Sequence, residues 1–183
     1  YYYHYYGSHN GWEDDADPLA TAAYRLKQLT NLYMEMGGAI HDAAAFAVQS
    51  ARTRDDVSGF DALHDKVRNQ LNQAYVESKD RDEWERRPRR RKMFHEFYYD
   101  TGLSDKAVEQ SKERIRDCLT NLVESQSFRE AVAAPYVEVK EVEGFLTFDV
   151  EGTLVHAVPD LVYRLGDDTW TVTDWKTGRE DVD

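Results

Sequence analysis

Apolar positions along the chain recur at helical spacing as far as about residue 134 and then switch to alternation. Asp17-Pro18 opens the first periodic run, with Asp placed to cap a helix and Pro suited to its first turn. Leu19, Ala22, Ala23, Leu26 and Leu29 predict a helix over 19–32, and Gly37-Gly38 is expected to break it. A second helix, 39 to about 52, is alanine-rich and apolar on most sides, so it should be buried; its first turn carries Ile40-His41-Asp42. After a break at Ser58-Gly59, Leu63, Val67, Leu71, Ala74 and Tyr75 predict an amphipathic helix from Phe60 to about Lys79. Residues 80–92 are of mixed charge, and Pro88 argues against an unbroken helix there. Ser104 starts a further helix that runs to about Gln126.

From Pro135 onward the period is two. Strands are expected at 136–139, 145–150, 154–158, 161–165 and 170–174, the last two joined by a Gly-Asp-Asp-Thr turn. Helices come first, a mainly antiparallel or mixed sheet follows, and no strand–helix alternation appears, so the expected class is α+β. At 183 residues the chain suits one domain, helical over 1–134 and sheet over 135–183.

Composition narrows the picture. Hydrophobic residues are 41% and aromatics 13%, enough for a core and too many for wholesale disorder. No apolar run is long enough to cross a bilayer, and no charged-then-apolar leader is present. Cys118 is the single cysteine, which excludes a disulfide framework and a Cys-rich metal site within these residues and suits a reducing, cytoplasmic setting. The chain starts at Tyr1 and stops at Asp183 just past the last strand, so it is expected to be a piece of something longer. Its net charge of −12, solubilising or salt-adapted, would by itself argue against a nucleic-acid partner, because phosphates repel an acidic surface.

Candidate chemistry gathers at the last two strands. If they pair antiparallel, Asp160 opens one and Asp174 closes the other, so both carboxylates fall at the same end of the hairpin. Side chains alternate faces along a strand, so Asp174 and Lys176 project the same way, about 6–7 Å apart. Two acids and a lysine on one spot suit a hard divalent metal and a phosphate. Taken singly, each residue has a plainer reading: Pro159-Asp160 as turn chemistry, and Asp174-Trp175-Lys176 as a solvated polar face. His41 is either a satisfied core histidine or a ligand. Gly37-Gly38 beside it would permit the close backbone approach that a ligand needs. The tyrosine-dense opening, Tyr1 to Tyr6, reads as aromatic packing on the core or as a base-stacking surface. No HExxH, zinc-finger spacing, Walker loop or GxGxxG motif is present.

Gly37-Gly38-Ala39-Ile40-His41, Pro159-Asp160 and Asp174-Trp175-Lys176-Thr177-Gly178, in that order, resemble the PD-(D/E)XK nuclease superfamily, and within it the RecB-like branch with its AddB-type and CRISPR-adaptation exonucleases. The resemblance implies a restriction-endonuclease-like core and a Mg²⁺- or Mn²⁺-dependent DNA nuclease, of exonuclease type, serving repair, recombination or defence. It implies His41, Asp160, Asp174 and Lys176 as catalytic residues, and His41, Asp160, Asp174 and the backbone carbonyl of Trp175 as metal ligands. The expected products are a 5′-phosphate and a 3′-hydroxyl. Lys176 either orients or deprotonates the water, or pairs with the phosphate. The family's further helix, carrying Gln-x-x-x-Tyr after the DxK strand, is expected beyond Asp183. Partner domains or subunits are likewise expected outside these residues. The position of Cys118 does not support an iron–sulfur cluster.

The DNA, single- or double-stranded, needs a cationic surface. Arg86, Arg87, Arg89, Arg90, Arg91 and Lys92 supply six basic residues in seven. They either contact phosphates or are neutralised by Asp80, Asp82, Glu83 and Glu85. Two other readings stand beside the nuclease. One is a catalytically inactive DNA-binding or scaffolding module of the same fold. The other is a helical interaction domain with an accidental DxK.

Overall fold

A computed structural model describes residues 1–51, 59–134, 137–142, 144–166 and 169–178. The expected helix end near Arg52, Ser58, the strand start at Tyr136 and the turn residues Asp167 and Asp168 lie outside them. Seven α-helices and five strands are described, so the chain is mixed helix and sheet, as the α+β expectation required. The chain divides into two compact units, Tyr1–Met36 with Asn69–Ser111, and Gly37–Arg68 with Lys112–Asp183.

In the first unit, a π-helical turn at Tyr3–Gly7 leads to helix α1, Pro18–Leu26. The Asp17 carboxylate accepts hydrogen bonds from the amides of Leu19, at 2.8 Å, and Ala20, so the cap anticipated from sequence forms. The helix stops earlier than expected. Beyond Leu26 the backbone of Thr30 bonds to Met93 and His95, and Asn31 caps the next helix through the amide of Met34. Leu29 and Leu32, expected on one helix, are therefore split between a linker and the start of α2, Leu32–Ser50. Around them pack Trp84 of α4 (Arg81–Arg86), Met93 and Phe94, with Phe97 of the short α5 (His95–Tyr98). The tyrosines of the opening turn do not pack into the core. Tyr1, Tyr2, Tyr3, Tyr5 and Tyr6 are exposed and lie against one another, with Tyr1 and Tyr5 rings 4.9 Å apart.

Gly37-Gly38 does not break a helix; α2 runs straight through both. Met36, Ala39, Ile40, Ala43, Ala44, Ala47 and Val48 are all buried, and that continuous apolar face offsets the roughly 1 kcal/mol that each glycine costs. Helix α3, Phe60–Glu77, matches its expected span. Helix α6, Asp105–Glu124, begins where Ser104 Oγ accepts from the amide of Ala107 at 3.1 Å.

In the second unit, α7 (Gln126–Ala133), which the sequence pattern did not reveal, is capped by Ser125 and followed by the strands. A three-stranded antiparallel sheet has the order β1 (Glu138–Val142), β4 (Leu161–Arg164), β5 (Thr171–Thr173). Its central strand buries Leu161, Val162 and Tyr163. β2 (Leu146–Val150) and β3 (Thr153–Ala157) form a separate hairpin with Phe145, Phe148 and Leu154 exposed. The Tyr163 hydroxyl donates to Glu130 of α7 at 2.5 Å, which fixes β4 against that helix.

Gly38 has nothing within 4 Å of where a Cβ would lie. Gly38→Ala should therefore raise stability by about 0.5–1 kcal/mol in urea unfolding, because it removes only the entropy of a mid-helix glycine. Burial, and then the Glu130 bond, push the Tyr163 phenol from 10.0 up to about 12. The folded state thus keeps a proton that the unfolded chain loses near pH 10. The contribution is full below pH 10 and is lost as pH rises toward 12. Urea midpoints of the wild type should fall over that window, and Tyr163→Phe should lack this component.

Candidate active site

The β4–β5 ladder places the two acids as the alternation predicts. Leu161 pairs with Thr173, so Asp160, just before β4, and Asp174, just after β5, lie at the same end. Asp160 is only 5% exposed. A buried carboxylate must find donors, and this one does on both oxygens. His41 Nδ1 lies 3.2 Å from Oδ1, and the Trp175 amide donates to Oδ2. His41 and Asp160 are 119 residues apart in sequence, yet they meet because α2 carries the imidazole to the strand end. His41 is half-buried and engaged, so it is a partner of the sheet carboxylate and not only a helix-core residue.

Close approach of α2 to the segment after β5 is visible at Gly37. A Cβ there would lie 3.1 Å from Thr177 Oγ1, whereas Gly38 meets nothing. Arg114 of α6 donates through Nε to the Thr177 carbonyl at 2.7 Å, holding the segment that carries Asp174 to Lys176. The sequence offered no signal for Arg114, since an arginine on an amphipathic helix has no pattern to distinguish it. Trp175 packs edge-on to Phe128, with ring centroids 6.2 Å apart, and its buried indole N–H has no hydrogen-bond partner among the described residues.

Asp174 and Lys176 are the exposed half of the site and face each other, Nζ to Oδ2 at 2.5 Å. The lysine's hydrogen bond holds the Asp174 carboxyl below its ordinary range. The lysine's charge and the nearby Asp160 and His41 act in the same direction. Donating that hydrogen bond to Asp174 in turn raises the Lys176 pKa.

Could this end of the sheet hold a divalent cation? The donor set fits in kind: two carboxylates and an imidazole, with a carbonyl next to them. Among the described residues, however, no group of three or more His, Cys, Asp or Glu side chains is already arranged around one point. The donors are instead bonded to each other and to the Trp175 amide.

A sequence model of the PD-(D/E)XK nuclease superfamily matches residues 5–183. The chain belongs to that superfamily. Its members are typically nucleases and generally use divalent metals, so membership implies a nucleic-acid substrate. No curated protein and no solved structure matches the chain. No described helix is long and apolar enough to cross a membrane.

The six basic residues are sorted by their partners. Arg86 and Arg87 pair with Glu83 at 2.9 and 3.7 Å, Arg91 with Glu77 at 3.7 Å, and Lys92 with Glu35 at 2.9 Å. The neutralising acids are thus mostly not those expected. Asp80 caps α4 through the Glu83 amide, and Glu85 pairs with Arg25 and Arg81. Arg89 and Arg90 are exposed, with no ion pair among the described residues.

If Lys176 is what depresses Asp174, Lys176→Met should return the Asp174 titration toward the ordinary carboxylate range. Carboxyl-carbon NMR across acid pH would report it. An unchanged titration would assign the effect to Asp160 and His41 instead.

Proposed function

We propose that the chain is a divalent-metal-dependent deoxyribonuclease of the RecB-like branch, one nuclease domain over 1–183, that degrades DNA from ends. The observation that carries this reading is the meeting of His41 with Asp160 at the strand end that also presents Asp174 and Lys176. Asp160, Asp174, His41 and the Trp175 carbonyl would hold the cation, Mg²⁺ or Mn²⁺. A bound divalent cation supplies charge neutralisation at the phosphate and activation of water.

The chain's own residues do the rest. Asp160, fixed by the Trp175 amide, sets the position of the site relative to the sheet. Asp174 would help hold the cation, and the Lys176 ammonium would pair with the phosphate undergoing attack. A lysine amine is protonated at neutral pH, which favours this cationic role over that of a base. Water adds to phosphorus, the P–O3′ bond breaks, and the departing 3′ oxygen takes a proton, leaving a 5′-phosphate. Arg86 to Lys92 would contact the backbone of the bound DNA, with repair, recombination or defence as the setting.

The test is cleavage of linear and closed circular DNA with Mg²⁺ or Mn²⁺ and with chelator. Linear DNA should be degraded only with metal, and the circle should survive. Asp160→Asn should abolish cleavage with the circular dichroism spectrum unchanged, and Lys176→Ala should lower the rate about 10²–10³-fold. Activity that persists in Asp160→Asn would remove the assignment. The inactive-module reading, which the already satisfied Asp160 favours, predicts no cleavage and no heat of Mn²⁺ binding in calorimetry.

A further inference from the structure

The first unit contains a cleft of about 930 Å³ that is bordered at once by an exposed tryptophan and by Arg89 and Arg90, which have no ion pair among the described residues. Trp12 lies on the loop before α1, and its indole is 55% exposed. An exposed indole on a loop usually has no fixed direction, but this one is held. Gly11 sits so close to α1 that a Cβ would lie 2.3 Å from the Ala20 carbonyl oxygen and 2.6 Å from Tyr24 Cβ. Its amide donates to the Ser8 carbonyl at 3.2 Å, and Ser8, fully buried, donates to the His4 carbonyl at 2.9 Å. Tyr24 and His9 meet the indole edge-on, with centroids 5.8 and 5.9 Å away. The ring is therefore propped into the cleft at a defined angle and remains uncovered.

The turn after α4 also lines the cleft. The Arg90 amide donates to the Arg87 carbonyl at 2.9 Å and the Arg91 amide to the same oxygen at 3.2 Å, which fixes the backbone beneath Arg89 and Arg90. Glu85, also on the cleft, is already neutralised by Arg25 at 3.2 Å and Arg81 at 3.0 Å. Glu13 and Asp14 border the cleft beside Trp12 in sequence. Carboxylates there exclude phosphates from the tryptophan side and can accept the exocyclic amines of bases. The cleft thus brings together what a nucleotide needs, cations for the phosphate and an aromatic surface with neighbouring acceptors for the base.

We infer that this cleft binds single-stranded nucleic acid, with Trp12 stacking an unpaired base and Arg89 and Arg90 holding the adjoining phosphates. Base pairs in a duplex stack on each other and offer no free face to an indole, so the ligand is a single strand or a frayed end. The inference rests on the nucleic-acid substrate implied by family membership and deepens it by naming the strand form and the residue that selects it. It does not depend on the cation site.

The measurement is fluorescence anisotropy of labelled single-stranded oligodeoxynucleotides on the full chain in chelator, where nothing is cut. Trp12→Ala should weaken binding about 5- to 150-fold, the range of one lost stacked base, and Trp12→Phe should recover most of it. An abasic oligonucleotide of equal charge should bind the wild type weakly and be indifferent to Trp12→Ala. Arg89→Gln with Arg90→Gln should weaken both ligands and lower the salt slope by about 0.7 for each arginine. Should Trp12→Ala fail to fold, quenching of the wild-type indole fluorescence by the normal oligonucleotide, absent with the abasic one and in Trp12→Phe, serves instead. Equal affinity for normal and abasic strands, or binding unaltered in Trp12→Ala, overturns the inference. Asp160→Asn separates the two readings: it should bind as the wild type does while cleaving nothing. A wild type that binds through Trp12 but never cleaves would sink the nuclease assignment alone.

Discussion

Asp160 is a carboxylate nearly removed from water, and a charge in that position is tolerated only when donors replace the solvent. Its two oxygens take the His41 imidazole and the Trp175 amide. Those two contacts reach a helix and the segment after β5, so one side chain joins three pieces of chain that are far apart in sequence. The geometry of the site follows from satisfying this single group. β4 must begin where the carboxylate can meet α2, and the chain after β5 must bend so that its amide faces back. Tyr163 on Glu130 and Arg114 on Thr177 then hold the strand and the bend from the side of the helices.

The outer pair obeys different physics. Asp174 and Lys176 are exposed, and an ion pair in water is worth little because solvent screens it and its side-chain freedom is lost. Their contact does not hold the fold together. It defines a charge arrangement that a ligand can reorganise at small cost: a cation can take the carboxylate, and an anion can take the ammonium. The buried, fully bonded Asp160 beside an exposed, exchangeable pair is a division between what positions the site and what can answer a ligand. That division supports a reading in which the acids recruit a cation and the lysine is released to phosphate.

Much of this was legible in the sequence, and the reasons are particular. Period-two alternation fixed which end of the hairpin Asp160 and Asp174 would share, because the register of a short antiparallel ladder leaves little choice. Caps at Asp17 and Ser104 marked two helix starts for the same local reason. Local signals failed where tertiary packing outweighed them. Gly37-Gly38 looked like a stop, but apolar residues of α2 are buried on both sides of it, Leu32 and Met36 before and the alanines after. Leu29 fitted the α1 period, yet the bonds of Thr30 with Met93 and His95 end that helix first. Arg114 and the choice of which arginines find acidic partners could not be read from sequence, because both depend on partners far away along the chain.

Net charge illustrates why whole-chain quantities mislead about sites. At −12 the molecule as a body repels phosphate, and at a range beyond the Debye length of about 8 Å this repulsion is what screening by salt removes. Within that length only neighbours matter. Of the six cations from Arg86 to Lys92, four have acidic partners, and Arg89 and Arg90 have no ion pair among the described residues, so the field near those two differs from the sum over the chain. An acidic body with a small cationic turn would attract polyanions only weakly by charge. Affinity must then come from short-range contacts, stacking among them, that charge alone does not provide. Such a surface discriminates by what lies beside the phosphate, which is why an exposed indole on the same cleft carries more meaning here than it would on a basic protein.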